Sequence, residues 1–125
     1  MNSSLLGRYA EKIAANYLVA QGYLILEANY MNKSGYRIGE IDLIAKDRKG
    51  WYIFVEVKAR KGDPNSVVPE ENITASKIRK IIKTANNYLL NEHRLGCPWR
   101  IDAISIILDF KTRKAQVRHL KHIRF

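Results

Sequence analysis

Leu6, Tyr9, Ile13 and Tyr17 recur at helical spacing near the N-terminus, with Ser3 or Ser4 before them to cap a helix and Gly22 after them to stop it. The pattern predicts a first helix ending near Gln21. Tyr23 to Glu27 is a short apolar, partly β-branched run that reads as a strand, and Asn29 to Arg37 reads as a polar loop containing Gly35. Two strand-like runs follow, Gly39 to Ala45 and Trp51 to Arg60, joined by Lys46-Asp47-Arg48-Lys49-Gly50, a charged turn closed by glycine. The second run is apolar at both parities: Tyr52 and Phe54 alternate with Trp51, Ile53, Val55 and Val57. That suits a central strand covered by helices on both faces.

Lys61 to Asn72 contains Gly62, Pro64 and Pro69 and reads as a loop able to contact substrate or close over a site. A second helix is predicted from about Thr74 to His93. Ile78, Ile81, Ile82, Ala85, Tyr88 and Leu89 face inward, while Lys77, Lys80 and Lys83 form a basic flank that can meet phosphates. Leu95-Gly96-Cys97-Pro98 ends that helix. Trp99 to Leu108 then reads as a strand, Asp109 to Lys114 as a turn, and Ala115 to Ile123 as a last edge strand whose basic residues discourage aggregation. The expected order is α-β-β-β-α-β-β in one domain covering 1–125: an α/β fold with a central mixed sheet flanked by helices.

Composition adds charge to this picture. The 125 residues are 46% hydrophobic and 10% aromatic, ordinary for a folded chain, but 22 Lys and Arg against 12 Asp and Glu leave a net charge of +10. Such a surplus favours a polyanionic partner, foremost nucleic acid, with an anionic membrane surface as the lesser alternative. No amphipathic, basic surface helix is strong enough to recommend the membrane. The single cysteine, Cys97, excludes an internal disulfide and points to a reducing compartment; with no secretory signal and no membrane-length apolar run, a soluble cytoplasmic protein is expected.

Within the central hairpin the acidic positions are the unusual ones. With the turn centred near Arg48 and Lys49, Asp42 falls opposite Glu56 and Glu40 opposite Lys58, all four on one face. Ile41, Leu43, Val55 and Val57 then take the other. Two carboxylates so opposed can bind one hard cation, Mg²⁺ or Mn²⁺, which takes oxygen ligands plus water and phosphate. Lys58 can then orient an attacking water or stabilise charge on phosphate oxygens. The plainer alternative is a pair of cross-strand salt bridges on a wet sheet face. Glu11, on the first helix, lies away from the apolar stripe, so periodicity leaves it solvated. His93, His119 and His122 lack metal-ligand spacing and read as surface histidines. Arg100 and Asp102 read either as a local ion pair or as a brace for the site.

Gly39-Glu40-Ile41-Asp42-Leu43-Ile44, Phe54-Val55-Glu56-Val57-Lys58 with Arg60, Gly7-x-x-x-Glu11 with Ala14 and Tyr17-Leu18, Lys77, Tyr88-Leu89 and Arg100-x-Asp102 together resemble the bacterial YraN-type family across nearly the whole chain. The resemblance implies a restriction-endonuclease-like fold similar to archaeal Holliday junction resolvases. It also implies a catalytic pattern of Asp, then Asp or Glu, one residue, then Lys, which falls on Asp42, Glu56 and Lys58. Resolvase-like members add a glutamate from the first helix, here Glu11, as a further metal ligand. The proline that usually precedes the first aspartate is replaced by Ile41. Glu40 belongs to the matched motif as a ligand or a brace, and Arg60, Lys77, Arg100 and Asp102 are carried over as support.

The expectation is a Mg²⁺- or Mn²⁺-dependent endonuclease acting on DNA, with branched or structured DNA favoured through the resolvase resemblance and with homodimerisation, frequent among such proteins, as a further implication. The rival is a nucleic-acid-binding module that keeps the fold without catalysis. Both bind phosphates in a salt-sensitive way, so only cleavage separates them.

Overall fold

A computed structural model of the chain describes residues 3–31, 39–62 and 73–123. In chain order these form α1 (Ser3–Ala20), β1 (Leu24–Met31), β2 (Glu40–Lys46), β3 (Tyr52–Lys61), α2 (Ala75–Asn91), β4 (Trp99–Asp109) and β5 (Lys114–Leu120). The expected order holds. The side chains of Ser3 and Ser4, most of the expected loop after β1 with Gly35, and the Pro64 and Pro69 segment lie outside the described residues.

The strands make one sheet in sequence order, β1-β2-β3-β4-β5. Only β3 and β4 run parallel, and α2 is the crossover that parallel neighbours require; the other pairings are antiparallel. The sheet is therefore mixed, as expected, with β3 at its centre. Alternate residues of β3 feed two separate cores. Ile53 and Val55 pack with Ala10, Ala14 and Leu18 of α1, while Tyr52 and Phe54 pack with Ile78, Ile81, Tyr88 and Leu89 of α2. One helix thus covers each face.

Both helices end in the same hydrogen-bonded device. At the end of α1, Gly22 takes φ +96, its N–H donates to Val19 O, and Tyr23 N–H donates to Leu18 O. At the end of α2, His93 takes φ 55, its N–H donates to Leu90 O, and Arg94 N–H donates to Leu89 O. These are Schellman motifs, which satisfy the last free carbonyls. The second helix is therefore stopped at His93, upstream of the expected Leu95–Pro98 signal. At its start Thr74 caps it, accepting from Lys77 N at 3.1 Å.

Four details depart from expectation. On α1 the fully buried stripe is Ala10, Ala14 and Leu18, and Tyr9 stands half exposed. Small alanines let the helix lie close to the sheet, so the contact line follows them and not the larger apolar residues. Second, β1 runs on through Asn29 to Met31, with a bulge between Ile25 and Glu27, instead of yielding to a loop at Asn29. Third, Ile41 joins the α2-side core and not the side of Leu43 and Val55. Paired β2–β3 contact ends at Leu43–Val55, and Asn29 beside this point has φ 54, so strict alternation is lost as β2 leaves β3. Fourth, β5 stops at Leu120, and His122 turns the chain at φ 56 so that Ile123 N–H reaches Ile101 O at 2.7 Å.

Candidate functional site

The β2–β3 register pairs Leu43 with Val55 and Lys46 with Tyr52; carried one step on, it sets Asp42 opposite Glu56. Beyond Val55, β3 stays bonded to β4 as far as Lys61 while β2 parts from it. Asp42 stands at the fork. Its Oδ2 accepts from Val57 N at 2.8 Å, taking the place of a ladder partner for the first freed donor of β3. The fork opens toward α2 as a cleft of about 360 Å³ lined by Gly39, Glu40, Asp42, Glu56, Lys77 and Lys80 among others. Gly39 lets the chain approach α2: a Cβ there would sit 3.2 Å from Thr84 Oγ1.

Glu56 is buried, and the Lys77 ammonium makes an ion pair with its Oε1, with the Lys58 ammonium at 3.8 Å from the same oxygen. Burial alone would lower the Lys77 pKa, but the bond to Glu56, its charge, and the contributions of Lys58 and Asp42 together outweigh burial and raise it. Lys58 is about one-third exposed, so its ammonium remains reachable from solvent. Glu11 approaches from α1. Its amphipathic setting is explained by the Ala10–Ala14–Leu18 contact line, which brings Glu11 to the margin of the sheet and not to open solvent. The Asn29 side-chain amide, oriented with its nitrogen toward the carboxylates, bridges Glu11 (3.1 and 3.3 Å) and Glu40 (3.0 Å).

Four carboxylates therefore lie around one fork, and the titration of Asp42 and Glu11 records it. Burial first, then the charge of Glu56, pushes Asp42 up to about 7, against the Val57 hydrogen bond and with further help from Glu11 and Glu40. Glu11 is raised too, by burial above all and then by Glu40 and Glu56, with the Asn29 bond opposing. Crowded carboxyls of this kind gain from a nearby cation, and for Glu56 that cation is the Lys77 ammonium.

The donor chemistry fits Mg²⁺ or Mn²⁺, which commonly sit on one or two carboxylates with the rest of the shell from water and phosphate. Asp42 and Glu56 would be those two. Among the described residues no three His, Cys, Asp or Glu side chains converge closely enough to enclose a metal ion, so Glu11 is not in place as a third ligand.

Other expected residues fall elsewhere. Arg60 is exposed two positions beyond Lys58 on β3. Arg100 and Asp102 lie on the α1 side of β4 near its start, where Arg100 bonds Asp102 and Tyr23, and they do not brace the carboxylate fork. Alternation places them opposite the α2 face that Ile101 enters. His119, expected at the surface, is instead enclosed: its Nε2 lies 2.7 Å from Asp102 and its Nδ1 3.0 Å from the Tyr17 hydroxyl. Edge strand β5 turns this side chain inward, and one buried carboxylate collects it.

The profile of the Uncharacterised protein family UPF0102 matches residues 10–106. This chain belongs to UPF0102. A UPF0102 protein of Persephonella marina is 45% identical over 107 residues, covering 86% of this chain and 87% of its own length. Another, from Lachnoclostridium phytofermentans, is 40% identical over 123 residues, covering 98% and 94%. The UPF0102 match spans Glu11, Glu40, Asp42, Glu56, Lys58 and Lys77, the whole of the fork, and stops short of His119. No helix among the described residues is long and apolar enough to cross a membrane.

Asn29 is the site residue that the sequence hides. It lies in what reads as a loop, and its bridging role depends on β1 running past its apolar segment. The β1–β2 register reveals it: Ala28 pairs with Leu43 and Tyr30 with Ile41, which sets Asn29 across from Asp42.

Proposed function

We propose that this UPF0102 protein is a YraN-type, metal-dependent endonuclease with a restriction-endonuclease-like fold, hydrolysing DNA phosphodiester bonds. The observation that carries the reading is Asp42: a carboxyl held by a backbone donor at a strand fork, crowded by Glu56, Glu11 and Glu40, and raised to about 7 with the cleft open beside it. Cross-strand salt bridges on a wet face would not crowd like charges. Asp42 and Glu56 would hold the Mg²⁺ or Mn²⁺, which when bound polarises phosphate and acidifies water. Lys58 orients the attacking water or meets charge building on the phosphate oxygens. Glu11 and Glu40, sharing Asn29, set the negative field that keeps a cation at the fork.

Lys77 and Lys80 line the same cleft and supply phosphate contacts, in keeping with the net charge of +10. Branched DNA is the preferred substrate on the strength of the resolvase resemblance. Superfamily relatives frequently dimerise to cut two strands, so the reading includes a homodimer. One observation favours the rival, a nucleic-acid-binding module without catalysis: the Lys77 ammonium already neutralises Glu56 where a metal would be needed.

The test is Mg²⁺- and Mn²⁺-dependent cleavage of linear, flap, single-stranded and four-way-junction DNA by wild type, Asp42→Ala, Glu56→Ala and Lys58→Ala, with binding measured alongside. Cleavage by wild type, lost in all three variants while binding survives, is the expected result. Tight binding without a metal-dependent product, or product unchanged in the variants, would overturn the nuclease reading and promote the binding module.

A further inference from the structure

At the other end of the β2–β3 hairpin, on the α1 face, lies a second cleft of about 390 Å³, within the size range of small-molecule sites. The strand path from Asp42 to Asp47 on its lining is about 16 Å at the rise of a strand. Its rim is cationic: Arg48 and Lys49 come from the hairpin turn, Lys121 from the residue after β5, and Arg100 from the floor. Its walls are aromatic, formed by Tyr17, Tyr23 and half-buried Trp51. Arg100 is paired with Asp47 at 3.5 Å and with Asp102 beneath it, which leaves Arg48, Lys49 and Lys121 as the surplus cations of the lining.

The floor is rigid. Asp102 is fully buried and accepts from Arg100 Nε at 2.9 Å, from His122 N at 2.9 Å and from His119 at 2.7 Å. Arg100 also donates to the Tyr23 hydroxyl at 3.0 Å, and the Tyr17 hydroxyl is held by His119 at 3.0 Å. Asp47 Oδ1 ties the turn, accepting from Lys49 N and Trp51 N at 2.9 Å each. The Arg48 guanidinium packs against Gly22, where any Cβ would fall 2.4 Å from its Nε. Glycine at this helix end therefore does two things: it adopts φ +96 and it seats an arginine at the mouth of the cleft.

None of this serves the carboxylate fork. We propose that this cleft is a second nucleic-acid contact that binds a single unpaired nucleotide, its base against the Trp51 ring and its phosphate among Arg48, Lys49 and Lys121. Aromatic rings offer every base a stacking face, and cations beside them hold the phosphate; together they recognise a nucleotide better than either a nucleoside or a bare anion. Free mononucleotide and an unpaired nucleotide of a strand share this chemistry, and the test distinguishes them.

Trp51 and Trp99 are the two tryptophans of the chain, and Trp99 packs in the α2-side core, so Trp99→Phe leaves Trp51 as the sole indole reporter. Adenosine 5′-monophosphate, adenosine, inorganic phosphate and a 5′-phosphorylated oligothymidylate are titrated in EDTA, with calorimetry on the unaltered chain as a second reading. The mononucleotide or the oligonucleotide is expected to quench Trp51 saturably, at least tenfold more tightly than adenosine or phosphate. Whichever of the two binds more tightly names the source.

Arg48→Ser with Lys49→Ser should weaken binding at least tenfold. Lys111→Ser with Lys114→Ser, which removes equal charge at the exposed β4–β5 turn, should leave it within twofold. Absence of saturable binding by both measurements, equal affinity for phosphate and nucleotide, or equal losses in the two double variants would overturn the proposal. Because EDTA removes any metal and no cleavage is read, failure of the nuclease reading and failure of this one are separate results.

Discussion

Asp42→Asn should make this protein more stable, and by an amount that depends on pH. Burial and Glu56 move the Asp42 pKa from its ordinary 3.8 to about 7. A carboxyl whose folded-state pKa lies above its unfolded one binds its proton more tightly when folded, so its contribution is full below about pH 4 and is lost as pH rises toward 7. At about 1.4 kcal/mol per pH unit the whole displacement corresponds to at most about 4 kcal/mol. Because Glu56, Glu11 and Glu40 share the site and relax with it, about half of that, roughly 2 kcal/mol, is the working magnitude. Asparagine removes the charge while keeping an oxygen for Val57 N–H and adding a donor for neighbouring carboxylates.

Urea titrations at pH 4, 6 and 8 and constant ionic strength should show Asp42→Asn about 2 kcal/mol above wild type at pH 8, with the advantage shrinking steadily to pH 4. Mg²⁺ or Mn²⁺ at ten times its dissociation constant should raise wild type by about 1.4 kcal/mol at pH 8 and leave Asp42→Asn unmoved. An asparagine variant less stable than wild type at pH 8, or a gain equal at pH 4 and pH 8, would refute the crowded-carboxylate argument.

Lys77→Met removes the cation paired with buried Glu56. Since Lys77 is itself partly exposed and Lys58 remains nearby, the loss should be about 1–2 kcal/mol, less than for a fully buried pair; denaturation with and without Glu56→Gln checks it, because the double variant should recover most of the loss. His93→Gly should stabilise by about 1 kcal/mol, since glycine holds the positive φ at the end of α2 without steric cost, and a thermal melt with a lower midpoint would count against the Schellman assignment. Asp102→Ala should destabilise by about 3 kcal/mol at neutral pH, because it removes the buried acceptor shared by Arg100, His119 and His122 N–H and leaves Arg100 only Asp47 and Tyr23. Asp102 has a pKa lowered, against burial, by its bonds to His119 and Arg100. Its stabilisation is therefore present above about pH 4 and is lost on further acidification, and the variant should lack that part of the acid slope in denaturation midpoints.

The order of elements, the central strand and the opposition of Asp42 to Glu56 are all legible in the chain, because each depends on local periodicity. The doubly apolar run from Trp51 to Val57 announces a strand between two cores. A turn of fixed length between two runs determines their register, and that register brings carboxylate to carboxylate. Lys77 on the basic flank of the second helix and Lys58 two residues past Glu56 are equally readable.

Other features required the folded molecule. Whether Glu11 is solvated or faces the fork depends on the depth at which α1 settles, and small alanines rather than its larger residues decide that. Asn29 bridges Glu11 and Glu40 because β1 continues past its apolar segment to meet β2. His119 is a surface residue by pattern and an enclosed one in fact, since its partners Tyr17 and Asp102 lie 102 and 17 residues away in sequence. For the same reason Arg100 and Asp102 serve the second cleft and not the first. Sequence by itself determined what depends on neighbours along the chain: helices, strands, their pairing and the carboxylate motif. Only tertiary structure decided which face each strand residue meets once β2 leaves β3, because that fork is set by packing against helices that are distant in sequence.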